Sequence, residues 1–211
     1  MSDIQDLTMV LSAIELTQVR GERRLFSNLS FEVNAGCTLW VRGENGSGKT
    51  SLLRTICGLS LPESGQILWN HRNIRELANA YRASLTWVGH LSGVKLDLTP
   101  LEHLQFESTR QKHSSGVSLI ETLEQIGLQQ HTHLPCRFLS QGQLRRVALA
   151  RLWLSTTPLW ILDEPFTALD ESGILAVEAS IQKHLKQGGV VVIASHRPPD
   201  LHPLTVNELV L

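Results

Sequence analysis

The residues of this chain best placed to do chemistry form one octapeptide, Gly43-Glu44-Asn45-Gly46-Ser47-Gly48-Lys49-Thr50. Its form, a glycine, four residues and then Gly-Lys-Thr, is the spacing of a phosphate-binding loop. Glycines let the backbone turn its N–H groups inward, so that these amides and the start of the next helix can cradle phosphates. Lys49 then brings positive charge to the β- and γ-phosphates of a nucleotide, and the Thr50 hydroxyl is placed to ligate Mg²⁺. Such a loop needs a carboxylate to hold the cation through water. The segment LWILDEP supplies one: four apolar residues, Leu159–Leu162, lead into Asp163 and Glu164. Asp163 is the metal-shell acid by this reading. Glu164, one residue on, is placed to polarise an attacking water as general base.

Two further segments carry polar groups at element ends. Ser140-Gln141-Gly142-Gln143 fits a capping box, with Ser140 as N-cap and Gln143 at the third helical position. The N-terminus of that helix, with Gly142 permitting close approach, is a candidate second anion site. In SLTWVGHLSG, His90 stands where a buried strand gives way to a glycine-flanked turn. By itself such a histidine reads as a polar cap.

The elements that position these groups follow from hydrophobic pattern. Strands are predicted at Ser12–Val19, Leu29–Val33, Thr38–Val41, Gln66–Trp69, Ser84–Val88, Leu159–Leu162 and Val190–Ala194. Helices are predicted at Thr50–Leu59, where Gly58 and Pro62 end the run, and at Pro100–Arg110, Ser118–Ile126, Ser140–Leu154 and Glu171–Gln187. Short apolar strands alternating with helices indicate an α/β fold with a parallel sheet covered on both faces. The helical middle reads as an insertion beside that sheet.

Composition bounds the remaining classes. A hydrophobic content of 42% and a charged content of 18% are globular values. Nineteen basic and 20 acidic residues nearly cancel, so nucleic-acid binding by bulk charge is not indicated. Cys37, Cys57 and Cys136 are odd in number and far apart, which argues for a reducing compartment rather than a disulfide framework or zinc ribbon. MSDIQDL lacks the basic end and apolar run of a signal peptide, and no stretch approaches the roughly 20 apolar residues of a membrane span. His131, His133 and Cys136 have no second pair at ligand spacing and are not read as a metal site. Arg145, Arg146 and Arg151 read as a solvated helix face that helps position anions.

Taken together, in this order, the motifs resemble the ATP-binding subunits of ABC transporters from about Leu11 onward. Val41–Ser51 looks like Walker A and Leu159–Glu164 like Walker B. Leu139–Gln143 is similar to the signature LSGGQ, with Gln141 replacing the first glycine; Ala168–Asp170 resembles the D-loop, and His196 ends its strand as the switch histidine does. The resemblance implies a single ABC ATPase domain over residues 1–211. It implies a P-loop NTPase core with a mixed, mostly parallel sheet, an N-terminal antiparallel β region and a helical subdomain inserted at about 91–155. It further implies a composite site in which two copies sandwich two ATP molecules, with Mg²⁺. Each nucleotide would lie between one copy's Gly43–Ser51 and the other's Ser140, Gly142 and Gln143, and His196 would contact the γ-phosphate.

Two positions depart from the family pattern. Arg20 stands where an aromatic residue often stacks on adenine, and a guanidinium can stack on a π-system. His90 stands in the place of the Q-loop glutamine. Mg²⁺ prefers oxygen, so His90 is expected to hydrogen-bond to water or phosphate, or to fix its loop against a partner.

Within the family, stretches such as WVGHLSGVK, LTPLEHLQF and RRVALARLWL look like the ATP-binding subunits of bacterial cytochrome c biogenesis haem exporters. That likeness implies a peripheral protein on the cytoplasmic face of the inner membrane, working with the transmembrane haem-exporter subunits B and C and a small D component. ATP hydrolysis would power haem export, or release of the haem-loaded periplasmic chaperone. The competing readings are an ABC ATP-binding subunit for another small substrate, a soluble ABC ATPase of DNA repair or translation, and a nucleotide-binding subunit without turnover. The soluble proteins usually carry a second ATPase domain or a long coiled coil. Lys49, Asp163, Glu164 and His196 speak against loss of turnover.

Overall fold

The apolar run that ends in Asp163 forms an inner strand, buried along its whole length. In the computed structural model, which describes residues 9–90, 93–110 and 118–211, the chain opens with β1 (Val10–Arg20), β2 (Arg23–Asn34) and β3 (Thr38–Arg42). There follow α1 (Lys49–Ile56), β4 (Ser64–Trp69), β5 (Arg72–Asn73), the short α2 (Ile74–Leu77) and α3 (Asn79–Ala83), and β6 (Leu85–Val88). A helical stretch comes next: α4 (Pro100–Arg110), α5 (Leu119–Gln125), α6 (Gln141–Leu149) and α7 (Arg151–Leu154). The chain closes with β7 (Leu159–Asp163), α8 (Glu171–Lys186), β8 (Val190–Ala194) and β9 (Val206–Val210).

These strands form two sheets. One is antiparallel, in the order β2-β1-β4-β5; the other is parallel, in the order β6-β7-β8-β3-β9. The expected mixture of strand directions is thus a division of labour between two sheets. In β7 and β8 all five residues are buried, as strands covered on both faces require. Alternation then sends Leu159 and Ile161 toward α1 and the antiparallel sheet, and Trp160 and Leu162 toward α8. A third apolar cluster, with Leu104, Leu123, Val147 and Leu154, holds the helices between β6 and β7 together.

Helix ends follow local chemistry. Asp170 caps α8 by accepting from the Gly173 amide at 2.9 Å, and Ser118 caps α5. After α1, Gly58 adopts φ 68° and returns its amide to Thr55 O, the left-handed residue on which helices often end. The helix expected over 140–154 is broken at Ala150. Its amide is shared between Arg146 O at 3.0 Å and Val147 O at 3.3 Å, which tightens the turn between α6 and α7. Hydrophobic pattern does not predict strand β9, because it is a half-exposed edge strand with little apolar alternation to announce it. No helix among the described residues is long and apolar enough to cross a membrane.

One buried titratable group lies far from the loop that ends β3. His184 of α8 stacks on Trp160 with ring centroids 4.0 Å apart and planes 5° from parallel. Burial depresses its pKa from 6.5 to about 4 against the smaller opposing influence of the Pro158 and Val190 backbone. The unfolded chain therefore binds a proton that the folded chain refuses. Stability is intact above about pH 6.5, falls as pH drops toward about 4, and loses roughly 2–3 kcal/mol from this residue over that window. Thermal melts of the wild type and His184→Gln from pH 7 to 4 should show a shallower decline for the variant; parallel curves would contradict this.

Candidate active site

Strands β3, β8, β7 and β6 run the same way, and the register puts Val41 beside Ala194, Ala194 beside Asp163, and Leu162 beside Val88. Whatever follows these four strand ends is therefore delivered to one edge of the sheet. Gly43–Gly48 follows β3, Glu164 follows β7, His196 lies just beyond β8, and His90 just beyond β6.

Between β3 and α1 the chain turns through Gly46 at φ 83° and Gly48 at φ 113°. Gly48 is doubly required, because a Cβ there would also lie 3.1 Å from Cβ of Leu25. Lys49, 8% exposed, donates from Nζ to Gly43 O at 2.7 Å and to Glu44 O at 3.2 Å, so its ammonium lies along the loop. Thr50 Oγ1 donates to Asp163 Oδ2 at 2.9 Å, joining the start of α1 to the end of β7. A hydroxyl and a carboxylate side by side are hard oxygen donors, the chemistry that suits a small divalent cation.

Glu164 takes φ 49°, a left-handed conformation that costs a residue with a Cβ about 1–2 kcal/mol. Its amide donates to Ala194 O at 2.8 Å. Its carboxylate lies 3.6 Å from His196 Nε2, and the same nitrogen is 3.2 Å from Asn45 Oδ1. His196 thus bridges the loop and the acid.

A cavity of about 410 Å³ opens over this edge. Its walls include Glu44, Asn45, Gly46, Gly48, Lys49, Thr50 and Ser51, together with Asp163, Glu164 and His196. Arg20 and His90, the two departures from the family pattern, also line it. Gly43 and Ser47 belong to the loop but do not line the cavity; they lie against each other, so that a Cβ on Gly43 would be 2.5 Å from Ser47 Oγ. Two further wall residues, Leu25 and Thr167, belong to none of the sequence motifs.

Ser140, Gly142 and Gln143 do not line this cavity. The capping box forms as expected, with Ser140 Oγ accepting from the Gln143 amide and Gln143 Oε1 accepting from the Ser140 amide. Gly142 packs so closely on Ala168 that a Cβ would lie 2.6 Å from its carbonyl oxygen. Gln143 also meets His131 Nε2 at 3.1 Å, which gives that histidine a partner within the protein.

The three arginines that follow correct the sequence reading. They do not form a solvated face. Arg145 is 6% exposed and donates to Gly89 O, Asp163 O and Glu164 O. Arg146 donates to Ile126 O at 2.7 Å and pairs with Asp170, and Arg151 donates to Trp87 O at 3.0 Å. Helical spacing held the clue. Positions 145, 148, 149 and 152 fall on one stripe, and Ala148, Leu149 and Leu152 are all buried.

Comparison with known proteins agrees with this geometry. Residues 26–167 match the family model described as ABC transporter. A cytochrome c biogenesis ATP-binding export protein, CcmA, of Nitrosomonas europaea is 48% identical over 207 residues, 96% of this chain and 95% of that protein. A solved ABC transporter ATP-binding protein of Pyrococcus furiosus superposes with a TM-score of 0.79 at 25% identity, covering 95% of this chain and 97% of that one. A dimeric ATP-binding cassette in a post-hydrolysis state with ADP and phosphate has a TM-score of 0.74 at 23% identity, covering 89% and 88%.

The loop geometry generates a direct prediction. Gly48→Ala forces a Cβ into a left-handed position already in contact with Leu25 and Phe26. The loop relaxes to relieve a strain of about 1–3 kcal/mol, so its amides no longer converge and equilibrium ATP binding should weaken about tenfold or more, with the melting temperature falling by about 2–4 °C for each kcal/mol of strain that remains. Wild-type affinity in this variant would contradict the assignment of the loop.

Proposed function

This chain belongs to the ABC transporter family and is an ATPase of that family, and from this premise we propose that it powers cytochrome c biogenesis as the nucleotide-binding subunit of a membrane assembly. The observation that carries the proposal is the convergence of Lys49, Thr50, Asp163, Glu164 and His196 on one cavity. The 48% identity with a cytochrome c biogenesis ATP-binding export protein, over nearly the full length of both chains, supports the assignment of the assembly.

The phosphates of ATP lie against the amides of the loop and the start of α1, with Lys49 countering their charge. Thr50 and Asp163 would hold Mg²⁺, which when bound would draw charge from the phosphate oxygens. Glu164 accepts a proton from the water whose oxygen attacks the γ-phosphorus, and the bond to the β-phosphate oxygen breaks to release ADP. His196, already between Asn45 and Glu164, orients toward the transferred group. Arg20, on the cavity wall, stacks on the nucleotide base through its planar guanidinium. His90 acts on water or phosphate by hydrogen bonding and fixes its loop against the membrane partner.

Ser140, Gly142 and Gln143 do not line the chain's own cavity, which fits a site completed by a second copy. The dimeric post-hydrolysis cassette is a precedent for such an arrangement. The remaining partners are the transmembrane haem-exporter subunits B and C with the small D component, at the cytoplasmic face of the inner membrane. Hydrolysis there drives haem export or frees the haem-loaded periplasmic chaperone.

Phosphate release by the purified assembly tests the catalytic reading. Glu164→Gln should lower it about a hundredfold or more while ATP still binds; unchanged release would remove Glu164 from the role of base. The same preparation, captured in mild detergent by a tag on this chain, should contain the transmembrane haem-exporter subunits. His90→Ala should reduce turnover more than His90→Gln, and equal wild-type rates in both would reduce His90 to a polar cap.

A further inference from the structure

Arg145 belongs to α6, yet its guanidinium leaves the helical layer and ends among backbone carbonyls of the parallel sheet. Nη1 donates to Gly89 O at 2.9 Å. Nη2 donates to Asp163 O at 2.9 Å and to Glu164 O at 2.8 Å. The three acceptors belong to two segments that the site depends on. Gly89 is the residue before His90, and Asp163 and Glu164 are the paired acids. Nε is enclosed without a hydrogen-bond partner, so the two terminal nitrogens alone set the orientation of the group.

Glu164 is where this clamp has a chemical consequence. Its left-handed backbone is held from both sides, by Ala194 O on its amide and, on its carbonyl, by Arg145 at 2.8 Å and more weakly by the Thr167 amide at 3.3 Å. Strained residues persist only where their neighbours over-determine them, and removing one restraint lets the backbone relax. The direction in which the Glu164 side chain leaves the backbone, toward His196 and the cavity, is fixed by that same peptide. A lysine keeps the charge at this position but not the planar fork that spans separate carbonyls.

We propose that Arg145 is a positioning residue for ATP hydrolysis, which holds the Glu164 peptide in its left-handed conformation and ties it both to the residue preceding His90 and to α6. The proposal rests on Glu164 being the group that polarises water. Because α6 begins with Gln141 and Gly142, one side chain joins three segments: the start of α6, the His90 loop and the catalytic acid. A displacement of the helical layer is then felt at Glu164 without passing through the nucleotide.

The test is steady-state phosphate release and equilibrium ATP binding by the full-length chain in its purified assembly, for Arg145→Met and Arg145→Lys, with Glu164→Gln in parallel. Arg145→Met should lower kcat about a hundredfold, the scale of a catalytic group misplaced by an ångström. KM and ATP affinity should stay within about threefold. Arg145→Lys should lose about tenfold in kcat, the worth of one charge-assisted hydrogen bond. A merely structural role would lower the number of ATP-binding sites and leave kcat per site unchanged, and that result overturns the proposal. Wild-type kcat in either variant beside an inactive Glu164→Gln overturns it too. An active Glu164→Gln removes instead the role of Glu164 itself. Should Arg145→Met not fold, Arg145→Lys decides on the same readouts.

Discussion

The parallel register of β3, β8, β7 and β6 is the constraint on which the rest of the molecule depends. Parallel strands cannot be joined by tight turns, so each must be followed by a segment that crosses back over a face of the sheet. Every such segment starts at the same edge. The phosphate loop, the two acids, His196 and His90 are therefore neighbours in space although they span most of the chain. The apolar character of β7 and β8 fixes this arrangement. With both faces covered, a shift of one residue in register would turn Asp163 into the core and withdraw it from Thr50.

A second layer of control comes from the helices between β6 and β7. They have their own apolar cluster; Arg145 and Arg151 reach from them to backbone at the ends of β6 and β7, while Arg146 bonds Ile126 O within the layer and pairs with Asp170. Hydrogen bonds from a buried guanidinium to carbonyl oxygens are directional, and leaving such carbonyls unpaired costs about 1–3 kcal/mol each. Burial lowers the pKa of Arg145, while the nearby charges of Asp163 and Glu164 act in the opposite direction. The helical layer is thus fastened to this edge of the sheet at defined points, beside the apolar contact that Leu149 and Leu152 make with Val88, Trp160 and Leu162. That is the form of attachment expected where two layers must keep a fixed geometry at the site.

Much of this was legible in the sequence, for particular physical reasons. The phosphate loop is readable because only glycine tolerates the φ values of Gly46 and Gly48, and β7 because a strand covered on both faces must be apolar throughout. The capping box of α6 was readable because its hydrogen bonds join residues three apart. What escaped was whatever depends on distant partners. The burial of Arg145 is decided by carbonyls at the ends of β6 and β7, and β9 by its pairing with β3. The contribution of Leu25 to the cavity follows from β2 lying beside Gly48, which no local pattern reveals.

Hydrolysis at this sheet edge is what drives cytochrome c biogenesis in the function proposed above. The most direct measurement is covalent-haem staining of periplasmic c-type cytochromes in cells whose only copy of this chain carries Glu164→Gln at normal protein level. Loss of the haem-stained bands is the expected result. Wild-type staining in those cells would contradict it.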